Sequence, residues 1–321
     1  MRFLVIAFAF AALGAQPEPS YTHALVGNPA DAAARGTGGY VLAGGGTDQP
    51  DAFRWMLQRA GGGDIVIIRA SGSDAYNKWI YEPGGADSVE TIIFRSRAAA
   101  SDPFVLDRLR KAEAVFIAGG DQSRYVNYWK GTPVEDELHA LVKRGGPIGG
   151  TSAGLAILGE FGFGAREGGI TSAEALADPF GKAVELDREF LALPGLEDLI
   201  TDTHFVERNR LGRLLVFLAR IQKDGWSLAP RAIAVDRETA VLVDPDGKAT
   251  LAGRNTAYFL RPTAPPAHCE PGKPLTLRGV DVYRIDSTGS FDLAAWRGTG
   301  GLAYSLDAVD GVVTSSRGEL Y

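Results

Sequence analysis

Three observations predict an α/β fold: a mostly parallel sheet with helices on both faces, followed by a β-rich C-terminal extension. Short apolar runs alternate with helical stretches of roughly ten residues, the pattern of repeated strand–helix units. One run, residues 64–69, is apolar at Ile65, Val66, Ile67 and Ile68 without a break, as expected of a strand buried on both faces. Gly-rich segments follow at least three of the runs, at Gly44–Gly46, Gly119–Gly120 and Gly150. In an open α/β sheet the loops at the carboxyl ends of the strands form the ligand crevice, so these segments are expected to line one crevice.

The elements follow in order. Arg2 and the apolar stretch Phe3–Leu13, with small residues Ala12, Gly14 and Ala15 around its end, predict a signal peptide over 1–15, because the stretch is too short to span a bilayer. Residues 16–36 are polar, with small residues and prolines, and predict a leader into the domain. An α/β domain over 37–262 comes next. Within it Tyr40–Ala43 reads as a strand, Asp51–Ala60 as a helix, and Asp64–Arg69 and Val89–Phe94 as strands. Pro103–Ala112 is helical, Ala114–Ala118 a strand and Pro133–Arg144 a helix. The run Gly146–Gly150 leads into Ser152, where a further helix is expected to start. Leu211, Leu214, Leu215 and Leu218 keep the i, i+3, i+4, i+7 stripe of a helix. Ala232–Val235 and Ala240–Val243 read as a strand pair around Asp236–Thr239. Leu275–Ile285 alternates, and 263–321 forms the β-rich extension.

Composition narrows the function classes. With 321 residues, 45% hydrophobic and 22% charged, the chain is ordinary globular protein, and its net charge of −6 favours neither a nucleic-acid partner nor an anionic membrane surface. After residue 13 no segment is long and apolar enough for a membrane anchor. The single cysteine, Cys269, excludes an intrachain disulfide. It lies in a proline-rich loop, and adjacency to His268 does not by itself give attack geometry; it reads as a bystander thiol. The four histidines show no ligand spacing, and Gly44–Gly46 lacks the dinucleotide-binding spacing, so no metal and no cofactor is expected.

The chemistry concentrates at Gly150-Thr151-Ser152-Ala153-Gly154, which fits G-x-S-x-G. Glycines on either side let the chain turn sharply after a strand, exposing Ser152 and directing the Ala153 N–H to where an oxyanion would form. The pattern is short, and a structural turn with Ser152 as an N-cap fits it too. A serine nucleophile needs a base. His23 lies in the leader, His139 on a helix face and His268 in the proline-rich loop, which leaves His204, in Thr201-Asp202-Thr203-His204-Phe205. Arg208, Arg210 and Arg213 follow at the start of the next helix, where cations oppose the helix dipole; that placement points to recognition of carboxylates. For the orienting acid the sequence offers Asp236 and Glu238 after His204, with Asp202 nearer.

Together, Ala118-Gly119-Gly120-Asp121-Gln122, Gly149–Gly154 and Asp202-Thr203-His204-Phe205 with the three arginines resemble the cyanophycinase and peptidase E family of serine peptidases, over roughly Tyr40–Val243. The resemblance implies a doubly wound fold like that of glutamine amidotransferases. It implies Ser152 as nucleophile, His204 as base, and an oxyanion hole from N–H groups near Gly120 and of Ala153. Cyanophycinases cleave β-Asp-Arg units of a poly-aspartate with arginine branches, so the implied substrate is a β-aspartyl or Asp-rich peptide. Gln122, Asp202, Thr203, Arg208, Arg210 and Arg213 are the implied substrate contacts, and a homodimer is compatible with the fold.

Two departures stand out. The family usually carries Gln where this chain has Thr203. The family acid is the Glu of an Asp-Glu-x-Thr-Ala stretch, here Asp236-Arg237-Glu238-Thr239-Ala240, so Arg237 occupies the acid position. On a strand Glu238 would face the other side; a bulge could restore it, or Asp236 could serve. The sequence therefore admits an active peptidase, a weakened or inactive homologue that binds acidic peptides, and, from G-x-S-x-G alone, an esterase whose acid precedes His204.

Overall fold

The computed structural model describes residues 18–321. The expected signal peptide and the first residues of the expected leader lie outside them. Within the described residues the chain forms two mixed sheets, where the sequence suggested one. The first has ten strands around a parallel core, in the order Ser88–Phe94, Asp64–Arg69, Ala114–Ile117, Ile148–Thr151, Tyr40–Ala43. The second has eight strands, and its parallel pairs join Leu199–Asp202 to Arg231–Val235 and to Phe161–Phe163.

The continuous apolar run at 65–68 divides its side chains by parity, as the pleat requires. Ile65 and Ile67 pack on one face with Phe53, Met56 and Leu57 of the helix Pro50–Arg59. Val66 and Ile68 pack on the other, with Val105 and Leu109 of Pro103–Lys111 and Leu138 and Leu141 of Pro133–Lys143. All three helices begin at proline, whose fixed φ and missing N–H suit a first helical turn. The second sheet presents Leu199, Ile233, Val235 and Phe259 to this same central core. Its other face, with Ile200, Ala232, Ala234 and Tyr258, packs on Leu211–Lys223 and Ser172–Ala177.

Four expectations change. Part of the expected leader, Tyr21–Gly27, is an edge strand antiparallel to Ser88–Phe94. Its half-exposed side chains hide the alternation that marks a strand, and His23 is spent there on Glu90, at 2.5 Å. No α-helix follows Ser152: Leu155–Ile157 is a single 3₁₀ turn. Gly159 stops it, because the strand Leu199–Asp202 crosses so closely that a Cβ there would lie 2.4 Å from the Leu199 carbonyl oxygen. Arg231–Val235 and Thr239–Val243 do not pair with each other. The former joins the second sheet and the latter the first, so residues 236–238 carry the chain between sheets. Of the three arginines only Arg213 lies in the following helix, Leu211–Lys223; Arg210 is its N-cap residue and Arg208 precedes it.

The extension continues both sheets. Leu277–Ile285 pairs with Ala257–Pro262 and with Leu302–Val309, while Ser290–Asp292 adds to the edge of the first sheet beside Lys248–Gly253. Among the described residues no helix is long and apolar enough to cross a membrane.

Candidate active site

Ser152 follows the strand Ile148–Thr151 directly and takes φ 52°, the left-handed region that a residue with a Cβ enters only at a cost of about 1–3 kcal/mol. The glycines of its motif are there for approach. A Cβ on Gly150 would lie 2.5 Å from the Gly154 carbonyl carbon, and one on Gly154 would lie 2.0 Å from the Ile117 carbonyl oxygen. The turn is tight enough to present Ser152 at the carboxyl end of the parallel core.

His204 arrives from the second sheet, just beyond Leu199–Asp202, at φ 45°. Its Nε2 is 3.0 Å from Ser152 Oγ. The first Gly-rich segment holds it there: His204 N–H donates to the Gly44 carbonyl at 2.8 Å, and Gly45, at φ 97°, lies under the ring. A Cβ on Gly45 would lie 2.3 Å from Nε2. The glycines at 44–46 thus serve close approach of backbone to imidazole. The ring is buried, and that burial is the main reason its pKa falls below the usual histidine value. Arg208 and Arg210 lower it further, while the bond to Glu207 opposes them.

The carboxylate on the other ring nitrogen is Glu207, with Nδ1 to Oε2 at 3.0 Å. Neither acid proposed from the sequence for that place is brought to the ring. Asp236 is buried and accepts from Val206 N–H at 3.0 Å and from Thr256 Oγ at 2.7 Å, fastening the crossover to the turn after His204. Burial pushes its pKa up. Glu238, at φ 55°, pairs with Arg237 at 3.2 Å and with Arg254 at 3.4 Å. Arg237 itself bonds Glu207 Oε1 at 3.2 Å. The signal for Glu207 was its place three residues after His204, a distance that brings side chains together only if the chain turns there. It does: Arg208 N–H bonds the His204 carbonyl at 3.0 Å, and Arg210 N–H that of Phe205 at 3.0 Å.

Beside Ser152 lies a small enclosed cavity of about 60 Å³, bordered by Gly120, Gln122, Ala153, Thr203 and the three arginines. Asp202 forms its buried wall. Arg213 Nε donates to Asp202 Oδ2 at 2.8 Å, and Nη2 bonds Oδ1 in a two-pronged pair. Arg210 reaches the Thr203 carbonyl at 2.7 Å and Thr203 Oγ1 at 2.9 Å. Burial pushes its pKa down to about 10, so it remains a cation at neutral pH. Three guanidinium groups thus face one carboxylate, and the cavity carries excess positive charge. A much larger cleft of about 580 Å³ opens near Tyr40 and Val243, at the opposite end of the same strands, and includes none of the candidate residues.

Cys269 is buried, with its pKa pushed up to about 11 chiefly by that burial, and is neither a nucleophile nor a neighbour of Ser152. His268 pairs with Thr276 through its backbone. Among the described residues no group of three His, Cys, Asp or Glu side chains is placed to hold a metal.

Comparison with known proteins bears on the family and the fold. The model of peptidase family S51 matches residues 80–177. The cyanophycinase of Synechococcus elongatus is 30% identical over 272 residues, covering 79% of each chain. That of Trichormus variabilis is 29% identical over 220 residues, covering 67% of this chain and 68% of its own. Among solved structures, a peptidase from an acI-B1 Actinobacterium superposes with a TM-score of 0.55 at 14% identity, covering 80% of this chain and 98% of its own, a likeness of fold. With the shared fold, the match to the family model and cyanophycinase relatives aligned over most of its length, this chain belongs to peptidase family S51.

Proposed function

We propose that the protein is an exported serine peptidase that hydrolyses β-aspartyl or Asp-rich, cyanophycin-like peptides through a Ser152 acyl-enzyme. The observation that carries this reading is the 3.0 Å contact between Ser152 Oγ and His204 Nε2 at the edge of an arginine-lined cavity. Export rests on the N-terminal pattern Arg2, Phe3–Leu13, Ala15.

In this mechanism His204 Nε2 takes the hydroxyl proton as Ser152 Oγ attacks the scissile carbonyl carbon. The oxyanion settles against the N–H groups of Gly120 and Ala153, both at the cavity wall. Nε2 then gives its proton to the leaving amine as the C–N bond breaks. Water attacks the acyl-enzyme, passes a proton to Nε2, and the acid product leaves as Ser152 regains its hydrogen. A lowered His204 pKa suits this cycle, because the ring must start neutral. The cavity is small and bordered by the arginines, which suits one carboxylate-bearing side group. Arg208, Arg210 and Arg213 would therefore clamp a single carboxylate of the aspartyl unit, with Gln122 and Thr203 as neutral partners, and the rest of the peptide would lie across the open rim.

The test is incubation of the mature chain with cyanophycin and β-Asp-Arg isopeptides, beside Ser152→Ala. Release of β-Asp-Arg by the native chain alone is expected; full hydrolysis by Ser152→Ala would sink the proposal. A second reading, a binder of acidic peptides, draws on Arg237 at the family's acid position. It requires tight binding without turnover, unchanged in Ser152→Ala.

A further inference from the structure

We propose, resting on the Ser152–His204 reading, that Glu207 is the positioning residue for His204 and that Arg237 holds it in place, so that the acid has moved from the inter-sheet crossover to the turn after the histidine. Nε2 faces Ser152 Oγ, so a ring acting as base carries its hydrogen on Nδ1, and that hydrogen points to Glu207 Oε2 at 3.0 Å. The second carboxylate oxygen is taken by Arg237 at 3.2 Å, whose other nitrogen bonds Glu238 at 3.2 Å; Arg254 closes the chain on Glu238 at 3.4 Å. The charged groups around the imidazole are therefore Glu207, Arg208, Arg210 and, one bond further out, Arg237, Glu238 and Arg254.

Arg237 then has a supporting part. A cation at 237 cannot accept from Nδ1, but it can fix a carboxylate that does. Glu207 is exposed, and an exposed pair three residues apart is ordinarily worth little to stability. Its value here is directional: two anchors, the imidazole and the guanidinium, fix both oxygens of one carboxylate. Asp236 is excluded by geometry, since its oxygens are occupied by Val206 and Thr256.

The experiment reads Ser152 reactivity without needing the substrate. The native chain, Glu207→Gln, Glu207→Asp and Arg237→Gln are treated with diisopropyl fluorophosphate across pH, with thermal unfolding as a check on folding. Glu207→Gln is expected to slow modification of Ser152 by roughly 10²- to 10⁴-fold, the range for a lost base or its orienting acid. Its acid limb should move to lower pH, because the carboxylate that raises the His204 pKa is gone. Glu207→Asp should retain more of the rate than Glu207→Gln, and Arg237→Gln should lose less than Glu207→Gln. A folded Glu207→Gln that reacts within about threefold of the native rate, with an unmoved acid limb, overturns the proposal. A native chain that reacts readily but cleaves no β-aspartyl peptide refutes the substrate reading and leaves the Glu207 assignment to stand on its variants. A native Ser152 that never reacts overturns both.

Discussion

Gly45→Ala should separate catalytic geometry from stability. Its new Cβ would lie 2.3 Å from His204 Nε2 and 2.6 Å from Cε1, where unstrained contact needs about 3.5 Å. The imidazole must therefore retreat by about 1 Å, and it is the nitrogen bonded to Ser152 at 3.0 Å that is pushed. A displacement of about 1 Å typically lowers turnover on the order of 10²-fold, and full loss of the Ser–His contact lowers it further. The backbone adds a second cost, because φ 97° with a Cβ is worth about 1–3 kcal/mol of strain. Gly84→Ala is the control. It has φ 83° and nothing within 4 Å of the new Cβ, so it carries the backbone cost without touching the site. Urea unfolding should show destabilisation in both variants, larger in Gly45→Ala by the cost of the clash, while peptide turnover and fluorophosphate modification fall only in Gly45→Ala. Activity kept within about threefold in a folded Gly45→Ala would refute the argument that this glycine sets the base against the nucleophile.

Other perturbations follow from the same geometry. Asp202→Asn breaks a pair whose members are only 2% and 4% exposed and should destabilise the fold by about 3–5 kcal/mol, read as a lower urea midpoint. The acid limb of kcat/KM should lie below the ordinary histidine value, since burial, Arg208 and Arg210 hold His204 neutral. The unfolded chain then binds more protons between that lowered pKa and about 6.5, so this residue makes stability rise with pH through that window and adds nothing further above it; urea titrations across pH check the sign. Cys269 should resist a thiol reagent in the native chain and react fully in denaturant, because it is buried and its pKa is pushed up to about 11. Adding Arg237→Glu to Glu207→Gln returns a carboxylate to the crossover and should recover Ser152 reactivity at least tenfold over Glu207→Gln alone, by the same modification assay.

Much of the scaffold was legible because its parallel core obeys local rules. Residues 65–68 are apolar without interruption since both faces of that strand are covered, and Pro50, Pro103 and Pro133 mark helix starts through a fixed φ. What escaped were features decided by distant partners. Two apolar runs flanking Asp236–Glu238 read locally as a hairpin. Yet Gly44 bonds Thr239 at 2.9 Å and Gly45 bonds Glu238 at 2.7 Å, drawing the second run into the first sheet while Ala257–Pro262 claims the first run. Leu155–Leu158 has helix-compatible residues, but Gly159 and the crossing strand leave room for one 3₁₀ turn only.

The site divides in the same way. Ser152 and His204 could be nominated from residue type, because few side chains can attack or accept a proton and only four histidines exist. The carboxylate on Nδ1 could not, because carboxylates are plentiful and spacing alone chooses among them only if the backbone path is known. The path depends on His204 at φ 45°, an unusual conformation for a residue with a Cβ, which turns the chain so that position 207 comes back over Nδ1. The same turn delivers Arg208 and Arg210 to the cavity on the other side of the ring. One strained residue thus sets three relations at once: Nε2 towards Ser152 Oγ, a carboxylate on Nδ1, and guanidinium groups at the cavity. The strain at His204, like that at Ser152, is sustained by backbone bonds from the glycine segment at 44–46 and the strand end at Ala43, whose carbonyls accept from His204 at 2.8 Å and from Ser152 at 3.1 Å. Ser152 and His204 belong to different sheets, and their alignment therefore depends on the two sheets staying packed at the Ala43–Gly45 junction.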